Sequence, residues 1–334
     1  MTGAATDLAR VLAGGAFAGT FVRGRQRDAQ QDASALPRRL PEEAWLHARF
    51  GLEANESLEA WSADFFGVAT PCWHATPVNI QVGHYQLLLD DPGDLGLTQA
   101  EADALGASVA ELFAEAGLEL VTAAPLHWFL RGRADWNLDA RSWTMAVGRS
   151  IDGYLPSGPD ARAWRRLFND AQITWHDHPV NRDRESRGLR PVNALWLDGC
   201  ARKVPTAPGT AVATRDPALS GLARSAGCRL IPSGPDSLDR TALAAAACGE
   251  DLLIDLDFWQ RARRHSDPAA WHDAWLRFDR WIADAGLASG APAGFARLRA
   301  VFSGERRWVE LETARAQRWQ FWRTFDPLAT VFAR

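Results

Sequence analysis

The chain has 334 residues, 47% of them hydrophobic and 23% charged, with a formal net charge of -4. That length allows two domains, or one large α/β domain carrying an insertion, and the composition is that of an ordinary globular protein. The missing basic excess argues against binding nucleic acid through bulk electrostatics, and no apolar run reaches the length of a membrane span.

Val11 to Val22 is rich in Gly and Ala but lacks the basic start and strongly apolar centre of a signal peptide, so a cytoplasmic location is expected. The polar stretch Arg23 to Arg39 reads as a linker. Pro41 then opens a helix with Glu42 and Glu43 in its first turn and Gly51 at its end. Asn55 to Phe66 reads as a second helix, with Leu58, Trp61, Phe65 and Phe66 at helical spacing. Val78 to Leu89 reads as a strand with Val78, Ile80 and Val82 on one side, ended by the turn Asp90-Asp91-Pro92-Gly93. Thr98 and Glu101 form a capping box for a helix to Ala116, closed by Gly117.

Leu118 to Thr122 and His127 to Leu130 read as a pair of strands, and Asp160 to about Trp175 as an amphipathic helix. Val192 to Leu197 is a short apolar strand ending at Asp198-Gly199, a placement that suits a ligand in α/β sheets. Further on, Thr210 to Thr214, Arg229 to Pro232 and Asp251 to Leu256 read as strands with helices between them. Pro268 to Ala285 is an amphipathic helix, and the tail from Arg297 is rich in Arg and Trp. This divides the chain into an N-terminal helical and irregular region (1–75), an α+β domain (76–205), and an α/β remnant with C-terminal helices (206–334).

Most of the chemistry is concentrated in His176 to Gly199, HDHPVNRDRESRGLRPVNALWLDG. Such a donor-rich, proline-bounded loop suits a small anionic metabolite. Lys203 is the single lysine of the chain, so an anion site must use arginine forks, histidines or backbone N–H groups. His176, His178, Asn181, Arg184, Asn193 and Asp198 are the ligand-binding candidates. His176 and His178 also fit a metal pair, or a helix cap with a locally bonded ring. Asn181 and Asn193 equally fit turn residues serving local backbone. The four cysteines (Cys72, Cys200, Cys228, Cys248) lie far apart without a C-x-x-C and read as buried reduced thiols. Most tryptophans fall on apolar faces and read as core, with Trp128 and Trp136 as the exceptions open to a ligand.

The segment order resembles a bacterial family of RpfE-type regulatory proteins, which is itself similar to archaeal-type cofactor-independent phosphoglycerate mutases. The match is carried by LTQAEADAL (Leu97 to Leu105), by Gly148 to Pro156, and by the pattern H-P-V-N-x-x-R-x-x-x-G-x-x-P-x-N. His178, Pro179, Val180, Asn181, Arg184, Gly188, Pro191 and Asn193 fill that last pattern. The resemblance covers roughly residues 75–205. It implies a shortened alkaline-phosphatase-like α/β fold with an inserted α+β domain, and a mechanism with two divalent metals (Mn or Mg) and a phosphoryl-carrying serine. Residues 1–40 contain no apolar strand leading into Asp-Gly, and Ser34 in the polar linker is their one serine. Asp255, Asp257, His265 and Asp267 resemble a worn copy of the C-terminal metal ligands, with Arg264 where a glycine stands in the family. His265 and Asp267 also fit an N-cap before Pro268.

The expectation is a mutase-like protein of degenerate catalysis that binds a phosphorylated or carboxylated metabolite in a regulatory role. The alternatives are an active metal-dependent mutase or phosphatase, and a Trp-rich module that meets a protein partner through the C-terminal tail.

Overall fold

The computed structural model describes residues 16, 20, 25–30, 39–53, 55–83, 86–202, 204–207, 209–231, 243, 251–287, 295–304 and 307–314. The chain folds as two compact units, one from residues 1–46, 209–215 and 228–334, the other from 47–208 and 216–227. This division is discontinuous in sequence, unlike the linear one at 75 and 205. The first residues join the C-terminal part because strand β1 (Arg25–Gln30) pairs antiparallel with β12 (Arg307–Ala314), beside β11 (Arg297–Ser303). The start of the Arg- and Trp-rich tail, as far as Ala314, forms this antiparallel pair. The Arg- and Trp-rich stretch beyond 314 lies outside the described residues.

The flanking unit also holds a parallel sheet in the order β10 (Asp251–Ile254), β8 (Thr210–Ala213), β9 (Arg229–Ile231). Pro268–Asp284 forms a helix as its 3.6-residue periodicity predicts, burying Ala274, Trp275, Phe278 and Ile282. Asp267 caps it, its Oδ1 accepting from the N–H groups of Ala269 and Ala270 at 2.9 and 3.0 Å.

The central unit is a four-stranded antiparallel sheet, β5 (Glu119–Ala124), β6 (His127–Arg131), β2 (Cys72–Val78) and β7 (Ala194–Ala201), in that order. One sheet face carries Trp73, Ala75, Trp128, Leu130, Leu195 and Leu197 into the main core. Against it pack α3 (Gln99–Glu115) and α5 (Ala161–His176), numbered after α1 (Pro41–Phe50), α2 (Ser62–Phe65) and α4 (Trp143–Ala146). The capping box at Thr98 is present, with Glu101 returning to the Thr98 N–H at 2.9 Å, and α3 stops before Gly117, which has φ +76°. Trp128 and Trp136, read as open to a ligand, are instead among the most buried side chains of this core.

Two local readings change. Val78 to Leu89 is not one strand. β2 ends at Val78, and β3 (Ile80–Val82) folds back on β4 (Leu87–Leu89) as a hairpin. Ile80 is 6% exposed and Val82 85%, so the alternation does not continue along one face. Asn55 to Phe66 is likewise a single 3-10 turn (Glu59–Trp61) followed by the short α2. This stretch packs against α7 (Pro217–Ser225), numbered after α6 (Pro179–Ser186). A Cβ at Gly221 of α7 would drive into the Trp61 carbonyl, so only glycine allows that approach.

Candidate functional site

The segment His178 to Asn193 is not the open loop that its composition predicts. His178 is the N-cap of α6, its Nδ1 accepting from the Val180 N–H at 3.2 Å, and Pro179 sits at the first helical position. Burial, followed by the Arg182 guanidinium, lowers the His178 pKa. His176 ends α5 and is exposed.

The motif's other polar groups face inward. Asn181 is 2% exposed, donates to the carbonyls of Trp175 and Val192 and accepts from the Val192 N–H. Asn193 forms a two-way clamp with Ile80, accepting its N–H at 2.8 Å and donating to its carbonyl at 2.9 Å. Arg184 is fully buried. Its Nε donates to the Arg190 carbonyl (2.9 Å), Nη1 to Glu101 Oε2 (3.0 Å) and Nη2 to the Leu95 carbonyl (2.5 Å). A buried guanidinium with acceptors on all three nitrogens is a scaffold element that ties α6 to α3 and to the Leu95 turn. The motif thus fixes chain geometry from within, and the segment's exposed rim carries His176, Arg182, Arg187 and Arg190 together with the acids Asp177, Asp183 and Glu185, with His178 partly exposed.

Glu101 gives this clamp a pH dependence. Burial pushes its carboxyl up, but the Thr98 N–H and hydroxyl, with Arg184 and Arg187, outweigh it and hold the pKa below the ordinary 4.5. A carboxylate depressed on folding contributes stability above its unfolded pKa and loses it as pH falls through the folded value. Glu101→Gln is therefore expected to lower stability at pH 7 but to flatten the decline below pH 4.5. Urea midpoints across an acid series check this, and an unchanged acid slope would count against it.

The metal quartet expected in the C-terminal half is not brought together. Among the described residues, no three of Asp255, Asp257, His265 and Asp267 set ligand atoms within 4.8 Å of one another. Asp267 is committed to the helix cap, and Asp255 Oδ2 accepts from Thr214 Oγ1 at 2.8 Å.

A different cluster forms on the second face of the central sheet, under the Glu59–Trp61 turn. In β2 the residues Cys72, His74 and Thr76 alternate onto this face, opposite Trp73 and Ala75. A β-bulge shifts the β2–β7 register between His74 and Ala75, so His74 pairs with Gly199, Ala75 with Leu197, and Asp198 is the extra residue. Gly199 has φ +142°, and a Cβ there would come 2.6 Å from the Ser57 Cβ, so the bulge needs glycine. Asp198 is thus not at a strand end, as its sequence position suggests, but inside β7, 2% exposed.

The carboxylate there accepts three hydrogen bonds. Oδ2 accepts from His74 Nδ1 and from Thr76 Oγ1, both at 2.8 Å, and Oδ1 from the Trp143 N–H at 2.8 Å. An ionised carboxylate only accepts, so His74 donates from Nδ1 and turns Nε2 toward His127. His127 Nδ1 lies 3.1 Å from that Nε2 and 3.4 Å from Ser62 Oγ. Burial and the neighbouring His74 push His127 down to about 3, which keeps its ring neutral at physiological pH. Glu59 completes the group, and the ligand atoms of Glu59, His74 and His127 all lie within 4.8 Å of one another.

Separately in sequence, His74 and His127 have no acid beside them. The one local signal was the glycine after an aspartate within an apolar strand, which marks a bulge. Cys72 and Cys200, in paired strands nearby, are buried thiols whose pKa values burial raises to about 12 and about 11. They fit the expected inert reduced cysteines. Cys228 is partly buried, and Cys248 lies outside the described residues.

The fold is a mixed α/β architecture. It is similar to the PH0037 protein from Pyrococcus horikoshii, with a TM-score of 0.51 and 13% identity, covering 89% of this chain and 79% of that one. A cofactor-independent phosphoglycerate mutase from Thermoplasma acidophilum aligns with a TM-score of 0.44 and 13% identity, over 98% of this chain and 90% of that one. In sequence, 122 residues are 34% identical to a 2,3-bisphosphoglycerate-independent phosphoglycerate mutase of Methanothrix thermoacetophila. That match covers 33% of this chain and spans 31% of the relative's length. No protein-family model matches the chain. Among the described residues, no helix is long and apolar enough to cross a membrane.

Proposed function

We propose that this chain is a phosphoglycerate-mutase-like protein of the RpfE type whose catalytic half has lost the mutase machinery. It binds a small phosphorylated or carboxylated metabolite in a regulatory role. The observation that carries this reading is the contrast between two sets of residues. The H-P-V-N-x-x-R pattern is filled and its buried members are hydrogen-bonded, whereas among the described residues no three of Asp255, Asp257, His265 and Asp267 converge. The chain path supports a shortened alkaline-phosphatase-like fold with an inserted α+β domain, since the central unit interrupts the flanking one in sequence. In this reading Asn181, Arg184 and Asn193 hold the segment in shape, and His176, His178 and Arg182 on its rim meet the anion.

A second reading, an active metal-dependent mutase or phosphatase, is favoured by one observation. Asp255 and Asp257 follow the carboxyl end of β10 in the parallel sheet, where α/β folds gather ligands.

One pair of measurements separates the two. Calorimetric titration with 3-phosphoglycerate should show binding that His178→Ala with Arg182→Ala weakens at least tenfold. Conversion of 3-phosphoglycerate to 2-phosphoglycerate with Mn2+ should be undetectable. Turnover that disappears in Asp257→Ala would establish the second reading instead.

A further inference from the structure

We propose that Glu59, His74 and His127 form a divalent-cation site in the central unit, of the three-ligand kind that takes Zn2+ and leaves one position open. The site is independent of the mutase-like reading and lies in a different unit from Asp255, Asp257, His265 and Asp267.

Three observations build it. The ligand set is two imidazoles and one carboxylate, a set that Zn2+ accepts with a water as fourth ligand. His74 Nε2 and His127 Nδ1 stand 3.1 Å apart. A tetrahedral zinc with bonds of about 2.0–2.1 Å holds two nitrogen ligands about 3.3 Å apart, so the pair already has the spacing of one ligand edge. The third observation is the support behind His74. Asp198 accepts the Nδ1 proton and is itself held by Thr76 Oγ1 and the Trp143 N–H. This is the carboxylate–histidine–metal arrangement that fixes a ligand's tautomer and raises its basicity.

The ring contacts agree. His127 lies against the Phe66 ring, with centroids 5.0 Å apart, and His74 against Phe129 at 5.4 Å. The two imidazoles thus meet in a largely apolar wall, with Glu59 partly exposed at the rim. Without a cation, the facing nitrogens His74 Nε2 and His127 Nδ1 share one proton across 3.1 Å. A bound cation would take that proton's place, with the Glu59 carboxylate offsetting part of its charge. Asp198 is a positioning residue here, acting through His74.

The test uses the full-length protein, stripped with a chelator and titrated with Zn2+ against a chromophoric competitor. Co2+ serves as a spectroscopic probe of coordination. One equivalent of Zn2+ is expected per chain, with a visible Co2+ absorption of tetrahedral type. His127→Ala should weaken Zn2+ binding at least 100-fold and abolish the Co2+ band. Asp198→Asn should weaken it about 10- to 100-fold while leaving one equivalent bound. Circular dichroism checks folding. If the histidine variant does not fold, Glu59→Gln at the rim decides, with at least a tenfold loss expected. The proposal is overturned if the wild type takes up no Zn2+ in the competition. It is equally overturned if the folded His127→Ala, or Glu59→Gln in its place, binds Zn2+ as the wild type does, since the ion would then sit elsewhere.

Discussion

Arg184→Ala is expected to lower the melting temperature of the central unit by about 6–12 °C. The side chain is fully buried, with three acceptors on its three nitrogens: the carbonyls of Arg190 and Leu95 and the carboxylate of Glu101. Removing one partner of a buried pair typically costs about 3–5 kcal/mol, because the acceptors left behind cannot be rehydrated. The low end applies, since Glu101 keeps Arg187 at 2.9 Å. About 3 kcal/mol then corresponds to that shift at about 2–4 °C per kcal/mol for a unit of this size. Arg184→Lys should recover little of it, because an ammonium is a point charge and cannot reach three divergent acceptors. Calorimetry of the full chain reads the result. A change under about 2 °C would mean that the guanidinium orders nothing and that its partners find water.

The second large effect belongs to the network on the other sheet face. Asp198→Ala strands three donors, His74 Nδ1–H, the Thr76 hydroxyl and the Trp143 N–H, in a region where His74 and Thr76 are each 1% exposed. Each unsatisfied buried donor costs about 1–3 kcal/mol, so a loss of about 3–5 kcal/mol is expected after partial relaxation. His74→Phe combined with Asp198→Leu removes both members of the principal pair and should recover about half of that loss. An orphaned partner, and not the missing bond, dominates the cost. Urea unfolding in the presence of a chelator keeps any bound cation out of the comparison. If the double variant is no more stable than Asp198→Ala alone, the pair is not the unit of stabilisation.

The two networks differ in how far they could be foreseen. The H-P-V-N-x-x-R spacing was conspicuous in the sequence, and it is structurally important, but its composition suggested a ligand loop. Pro179 at the first helical position and His178 before it are instead a helix start, and the polar side chains turn inward. Polarity at this density is read as exposure unless the partners are known, and the partners here are main-chain carbonyls and N–H groups and Glu101, 83 residues away from Arg184. The His74 network shows the reverse failure. Nothing near His74 advertises a carboxylate, because Asp198 is 124 residues away and is aimed by a bulge.

What the sequence determined by itself is what closes within one or two turns of chain. The capping box of Thr98 and Glu101, the Asp267 cap before Pro268, the apolar faces of α5 and of Pro268–Asp284, and the β5–β6 hairpin are of this kind. Their hydrogen bonds and periodicities are satisfied by near neighbours, so spacing is enough to read them. Tertiary structure alone decided that β1 joins β12, that Asn193 clasps Ile80, and that Asp198 faces His74. A buried polar group must be paired, but which group pairs it depends on strand order and register, and these follow from packing of the whole unit.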